Sequence, residues 1–415
     1  MQSKPMTSRP ASLVSTASVA IILTLYIAIV FGFGLYLFSV LVTFMQESLS
    51  FGIPTVGIIT GGAQVSYLTA SLFCSPLTRR FGGGNVIFAA ALTAGFLLTL
   101  LSAVQNIWQA GALLIALGSC AAMTVIPTVG VIGKVVPIAW QSSINGLISS
   151  GTAYGQFATG LLVPFLIHGY DWRTVWMVIG AISITVAIIG YTVLRGLAAD
   201  VFRKASPQNC LDKQANLEKS PRLKSLATPR HFLIWTLLAL SGIACGPWQN
   251  YLASFLGNEQ HFSISFIGQL WSMIGVTGLI SGFAFGLLAD KIGVRMTLAL
   301  SYSLLLAAGL LVAMKGGTIT LRMAAVAFGL SFYAIFGLIP AYITKAASPE
   351  TSTAIFAVAN VFLGIGTSLG NAGSGYFQSW VGSFQGIYAG VAAVAAVAMI
   401  LSLLLPDERK ITQSK

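Results

Sequence analysis

The sequence predicts an all-α membrane protein whose twelve transmembrane helices form two pseudo-symmetric six-helix bundles. Three observations carry that expectation. Of 415 residues, 56% are hydrophobic and only 8% are charged, whereas about a quarter of a soluble domain is charged. The apolar residues collect into twelve runs, each near the ~20 residues that a helix needs to cross a hydrocarbon core. The last six runs also repeat features of the first six at a fixed spacing.

The runs fall at 18–45, 53–77, 86–105, 109–133, 143–167 and 173–195, then at 231–256, 264–288, 296–314, 319–344, 352–377 and 384–405. Forty-four glycines suit close helix contact in lipid and would be costly in soluble helices. Residues 1–17 are polar and carry Lys4 and Arg9. No small-residue cleavage site follows in the apolar stretch, so this segment is expected to be a cytoplasmic tail rather than a cleaved signal. Residues 196–230 are polar and charged and contain Pro207 and Pro221, which predicts a solvated linker. It would join an N-terminal bundle, 18–195, to a C-terminal bundle, 231–405, with 406–415 as a second cytoplasmic tail.

Lys and Arg mark the cytoplasmic side of a membrane protein. Threading the runs back and forth places nineteen of the 22 cations on the side of the N-terminus. Only Arg173, Lys315 and Arg322 fall opposite, so both termini are expected in the cytoplasm. The compact length and short external loops suit a bacterial inner membrane.

The net charge of +12 does not imply nucleic acid, because the cations sit between apolar runs and form no basic surface interleaved with aromatics. Cys74, Cys120 and Cys245 lie in apolar runs and Cys210 in the linker. Their spacing implies neither a zinc site nor a disulfide framework, and no cofactor is implied. His168, His231 and His261 are far apart at predicted helix ends, and nucleophile-elbow, phosphate-loop and zinc-protease patterns are missing. Enzyme chemistry is therefore not expected.

A shift of 211 residues lays Lys134 on Lys345, Arg80 on Lys291, Gly82 on Gly293, Gly57 on Gly268, Gly155 on Gly366, Phe44 on Phe255 and Phe51 on Phe262. Matches among apolar residues arise easily, so the cationic loop pairs carry most weight. Duplicated halves of this kind hold their solute near the midplane between them.

The connection after the eighth run reads Gly286-Leu-Leu-Ala-Asp290-Lys291-Ile-Gly293-Val-Arg295. It resembles the G-x-x-x-D-R/K-x-G-x-x-R signature of the major facilitator superfamily, and the whole chain resembles that family in helix spacing. The resemblance implies that this connection gates the cytoplasmic side. Its glycines allow a tight turn, and Asp290 can pair with a neighbouring helix end. In the first half Ser75, Arg79, Arg80 and Gly82 hold the matching places, so Arg79 stands where the signature has aspartate. Gly169-Tyr170-Asp171-Trp172-Arg173 also resembles the family's external turn. Within the family the chain loosely resembles the monocarboxylate porters and oxalate/formate exchangers. The cations of that branch are replaced by Gly282 and Asn360, which disfavours a dicarboxylate. Gly151, Gly155, Gly160 and Pro164 in the fifth run do not match the antiporter signature. The resemblance implies a secondary transporter that moves a small organic solute by alternating access. A transporter-like receptor and a multidrug or metabolite exporter are the alternatives.

No charged residue falls near the middle of a run, where a charge costs at least ~2.5 kcal/mol and is kept mainly for function. The expected solute is accordingly neutral, amphipathic or a monoanion. Polar residues at helical spacing mark three faces: Thr60, Gln64, Tyr67 and Ser71; Asn145, Ser149, Thr152 and Gln156; and Asn360, Gly364, Thr367 and Asn371. Each face lines a cavity or glues helices together. The seventh run carries Gly246-Pro247-Trp248-Gln249-Asn250-Tyr251, where proline frees backbone groups next to a cavity and aromatics offer stacking area. An interfacial aromatic cluster is the alternative there. Tyr36 and Tyr333 are further candidates, and Trp271 is read equally as facing lipid. The candidate solute set is thus Tyr36, Gln64, Tyr67, Gln156, Trp248, Gln249, Tyr251, Tyr333 and Asn360, and the candidate gate is Arg80, Gly82, Gly286, Asp290, Lys291, Gly293 and Arg295. A monomer with a small-molecule solute and membrane lipids as its only partners is expected.

Overall fold

The computed structural model describes residues 13–136, 138–197, 202, 228–346 and 349–407. Lys4, Arg9, Pro207, Cys210 and Pro221 lie outside the described residues, as does the side chain of Lys134.

The first crossing is α1 (Leu13–Ile27), a π-turn at Ala28–Phe33 and α2 (Leu37–Leu49). There follow α3 (Ile53–Phe81), α4 (Gly83–Leu100) and α5 (Ile107–Val135). The fifth crossing is divided into α6 (Ile138–Ser149) and α7 (Gly151–Ile167), and α8 (Trp172–Leu197) closes the first half. The second half contains α9 (Pro229–Ser254, prolonged by a π-turn at Phe255–Glu259), α10 (Ile264–Ile292), α11 (Val294–Ala313), α12 (Thr318–Ala346), α13 (Pro349–Val381) and α14 (Gln385–Leu403). Eleven of these crossings are each long and apolar enough to span a membrane. The broken fifth completes twelve in two six-helix bundles, and no strand occurs among the described residues.

Helix ends follow local chemistry. Asn106, Asp171, Thr228 and Ser263 cap α5, α8, α9 and α10, each accepting from a backbone N–H three residues on. Gly82 (φ 88°, ψ 145°) ends α3 and Gly293 (φ 94°, ψ 152°) ends α10, backbone angles open in practice only to glycine. The next helix starts at once, so both turns are as tight as the sequence predicts.

The 211-residue repeat is built into the fold. Helices α3 and α10 each have 29 residues, as do α5 and α12, and within each pair both boundaries differ by that shift. Ser39 Oγ donates to Asn250 Oδ1 at 2.9 Å across a separation of 211 residues. Residues related by the repeat touch each other only on the pseudo-twofold axis, so this bond marks it.

Two seams join the bundles, α3 against α13 and α7 against α10. They share one register. Gly57 abuts the Asn371 carbonyl, and its mate Gly268 abuts the Gly160 carbonyl. Ser368 Oγ donates to Gly61 O at 3.2 Å, and Ser272 Oγ to Phe157 O at 3.4 Å. Glycine allows this approach because a Cβ at Gly57 would lie 2.6 Å from Asn371 O.

Five hydrogen bonds join described residues of the two halves. None lies in the part of the bundle nearest the chain termini (the terminal end); all lie toward or within the other, distal end. There Asn258 Nδ2 also reaches Gln46 Oε1 at 3.2 Å. Glu259 gathers Lys315 Nζ (2.8 Å), Ser383 Oγ (3.0 Å) and the Phe384 N–H (2.8 Å), tying together three distal connections of the second half.

Candidate functional site

The fifth-crossing polar face shows where the space between the halves lies. Asn145 and Ser149 on α6 are exposed, Thr152 is half-buried, and Gln156 is fully buried. Along α13, Asn360 is half-buried and Asn371 buried, and on α3 Thr60, Gln64, Tyr67 and Ser71 are all half-buried. Along the fifth crossing and α13 burial therefore increases from the terminal end toward the distal end, as it does along a cleft that opens at the terminal end, whereas along α3 it is even.

At the deep end of the cleft five crossings meet. Tyr36 follows the π-turn of the first crossing, and its ring lies 6.4 Å from that of Trp271 on α10. Tyr333 on α12 donates through its hydroxyl to Gln156 Oε1 on α7 at 2.7 Å. The Tyr36 phenol lies within electrostatic range of Tyr333 and of Cys245 on α9. Gln249 follows Cys245 by four residues and so shares its helix face.

Gln156, Gln249 and Trp271 are buried, and the Nε2 atoms of both glutamines and Nε1 of Trp271 have no hydrogen-bond partner. An unsatisfied buried donor costs about 1–3 kcal/mol. Three of them beside one cluster are a feature that packing alone does not favour.

The predicted solute set divides into groups. Tyr36, Gln156 and Tyr333 come together, with Gln249 on the facing side of α9. Gln64 and Tyr67 line α3, where Tyr67 meets Phe31 edge-on at 6.3 Å. Asn360 donates to the Phe356 carbonyl of its own helix. Trp248 is stacked on Phe328 with ring centres 3.9 Å apart and meets Tyr388 edge-on, inside the second bundle. Tyr251 donates to Asn371 O at 2.6 Å and fills the space over Gly57 and Gly375, where it braces the α3–α13 seam. Trp271, which the sequence left equally to lipid, is fully buried in the cluster. Its neighbours Ser272 and Gly275 make the α7 contacts and turn its indole inward.

At the predicted gate, Asp290 pairs with Lys345 in the last turn of α12 at 3.0 Å. Arg295 reaches the Leu405 carbonyl at 3.4 Å, and Arg80 lies over the Phe81 ring at 5.3 Å. Lys291 is exposed, and Gly286 is half-buried. The Asp290–Lys345 pair joins α10 to α12 within one bundle, and being exposed it contributes at most ~1 kcal/mol.

The family model for the Major Facilitator Superfamily matches residues 24–371 and again residues 255–415. The chain belongs to the major facilitator superfamily. This transporter carries a small solute by secondary transport. It is similar to a cis,cis-muconate transport protein of Acinetobacter baylyi, at 22% identity over 292 residues, covering 68% of this chain and 69% of that one. It is also similar to the multidrug resistance protein MdtG of Yersinia enterocolitica, at 27% identity over 227 residues, covering 54% and 52%. Among solved structures, a bacterial homolog of the human lysosomal transporter Spinster superposes with a TM-score of 0.77 at 15% identity, over 97% of this chain and 99% of that one. A mutant of the nucleoside transporter NupG does so with a TM-score of 0.75 at 13% identity, over 94% and 99%.

Proposed function

We propose that the transporter is a monomeric carrier of a bacterial inner membrane, with both termini cytoplasmic, that moves a monocarboxylate or a neutral amphipathic metabolite by alternating access. The observation that carries this reading is the gradient of burial along Asn145, Ser149, Thr152 and Gln156. With the termini in the cytoplasm, the described state is open to the cytoplasm and sealed outside by the two glycine seams. Rocking the bundles about the Ser39–Asn250 axis would part those seams and close the terminal end. The solute must interact comparably with both states, or it would be trapped in one.

The relative named for muconate, a dicarboxylate, favours the carboxylate class, and the placement of the described cations at helix ends and connections favours one carboxylate over two. Export of a metabolite or drug is the second reading, favoured by the aromatic walls Tyr36, Trp271 and Tyr333 and by the relatives named for multidrug resistance. Counterflow in liposomes tests the proposal without knowledge of any coupling ion. Labelled monocarboxylates, dicarboxylates, amino acids, sugars and lipophilic cations are offered outside vesicles preloaded with the same compound unlabelled. Transient accumulation of a monocarboxylate or neutral metabolite is expected. Folded protein that accumulates nothing would sink the transport reading, and accumulation of lipophilic cations alone would replace the first reading with the second.

A further inference from the structure

We infer that the cluster at the base of the cleft binds a solute carboxylate through neutral N–H donors, Gln156 Nε2 and Trp271 Nε1, covered by the phenols of Tyr36 and Tyr333. This inference rests on the transport reading and assigns its recognition chemistry. These two groups, and Gln249 Nε2 on the facing side of α9, are unpartnered donors, and an indole N–H cannot act as an acceptor. The neighbouring acceptor, Gln156 Oε1, is already taken by the Tyr333 hydroxyl. What the cluster lacks is therefore oxygen lone pairs. A carboxylate offers two oxygens with about four lone-pair sites and no donor, whereas a primary amide or an ammonium group would bring N–H groups that need acceptors of their own.

Charge narrows the class further. The described cations lie at helix ends and in connections, away from the cluster, so it can hold one negative charge by hydrogen bonding but has no counter-ion for a second. The chain's formal charge of +12 raises the local concentration of anions along its basic end. Two aromatic walls, Tyr36 against Trp271 and Tyr333 against Phe332, suit a flat apolar body behind the carboxylate. Tyr36 and Tyr333 are half-buried, whereas Gln156 and Trp271 are fully buried. The phenols thus form the layer between cleft and donors, and rotation of their side chains gives the solute access. Two other orphaned indoles, Trp176 and Trp248, do not belong to this site. The first lies on α8, which packs on α4, and the second is stacked within the second bundle.

The test compares labelled benzoate, benzamide, terephthalate and tetraphenylphosphonium in counterflow, using the full-length protein and its Trp271→Phe and Gln156→Glu variants. Trp271→Phe keeps the ring and removes the N–H, and Gln156→Glu sets a negative charge against the carboxylate. Benzoate is expected to be the preferred probe. Its half-saturation should rise roughly ten- to a hundredfold in Trp271→Phe, the range for losing a hydrogen bond to a charged group, with the maximal rate retained, and its transport should vanish in Gln156→Glu. Preference for benzamide, terephthalate or tetraphenylphosphonium would overturn the inference while leaving the transport reading intact, as would benzoate kinetics indifferent to both variants. If no probe moves, thermal stabilisation of the detergent-solubilised protein by benzoate decides separately. Stabilisation lost in Trp271→Phe retains the site while transport falls, and lack of stabilisation overturns both.

Discussion

Replacing Gly160 with leucine should force the distal seam open. A Cβ at this position would lie 2.5 Å from both Gly268 O and Ser272 N, and closer still to Ser272 Oγ. Carbon atoms in contact prefer about 3.5–4.0 Å, so α7 and α10 must part by about 1 Å for the Cβ alone. Two of these obstacles are backbone atoms, which cannot rotate away. The reciprocal contact is equally close, since Gly268 abuts Gly160 O and Pro164, and α7 therefore has no free direction in which to slide. Overpacking costs about 1–3 kcal/mol, and loss of the bond from Ser272 to Phe157 O adds about 1 kcal/mol. Together they shift the equilibrium away from the distally sealed state by roughly 30- to 1,000-fold. A cysteine at Ser39, fully buried on the axis in the sealed state, reports this directly in a background where the four native cysteines are replaced by alanine. Maleimide labelling of Ser39→Cys should be slow in the parent and accelerate by that factor with Gly160→Leu, with Gly160→Ala intermediate. Equal labelling rates in folded parent and variant would refute the seam as the barrier.

Gly57→Leu should act in the same way, because its Cβ would lie 2.6 Å from both Asn371 O and Tyr251 Oη; Ser39→Cys labelling that stays slow would show that the seams are not equivalent. Gly293→Ala places a side chain at φ 94° and should cost about 1–3 kcal/mol, seen as a lower thermal midpoint, whereas Gly286→Ala, inside α10 with nothing within 4 Å, should not lower it. Glu259→Gln keeps the shape but removes the charge that gathers Lys315, Ser383 and Phe384; the exposure of Lys315 limits the loss to about 1 kcal/mol, and a midpoint equal to the parent's would mean that the cluster adds nothing to stability.

Much of the fold was legible because lipid leaves the chain few options. Apolar length fixes the crossings, and charges are confined to the ends. The repeat read from Lys134 and Lys345 reappears in the bounds of α3 and α10, and in the bond from Ser39 to its own repeat mate Asn250. The division of the fifth crossing was not legible. Its Ser149-Ser150-Gly151 signal is a recognised kink sequence, but glycine is too common in this chain for one more to stand out. The unbroken mate α13 shows that the repeat does not require the break.

Within the candidate site, polar residues could be set on helix faces, but the partner of each face could not be read. The pattern Trp248-Gln249-Asn250-Tyr251 gives depth along α9 without rotation, because every residue from Ala244 to Ser254 is buried. Packing on Phe328 turns Trp248 into the bundle, and Cys245 and Gln249 are left on the face toward Tyr36. Trp271 escaped selection because a tryptophan in an apolar helix reads as readily toward lipid as inward. The small neighbours Ser272 and Gly275 were the available signal, since small residues mark the face that a partner helix approaches.

The exchange of one opening for the other is tested most directly by paired distance measurements in the same protein. Spin labels at Glu47 and Asn258 report the distal end, and labels at the repeat mates Asn145 and Phe356, both exposed, report the terminal end. The described state predicts a short distal and a long terminal distance, and Gly160→Leu should lengthen the first and shorten the second together. Distances that change independently, or a terminal distance unmoved when the distal seam is forced apart, would contradict alternating access by rocking of the two bundles.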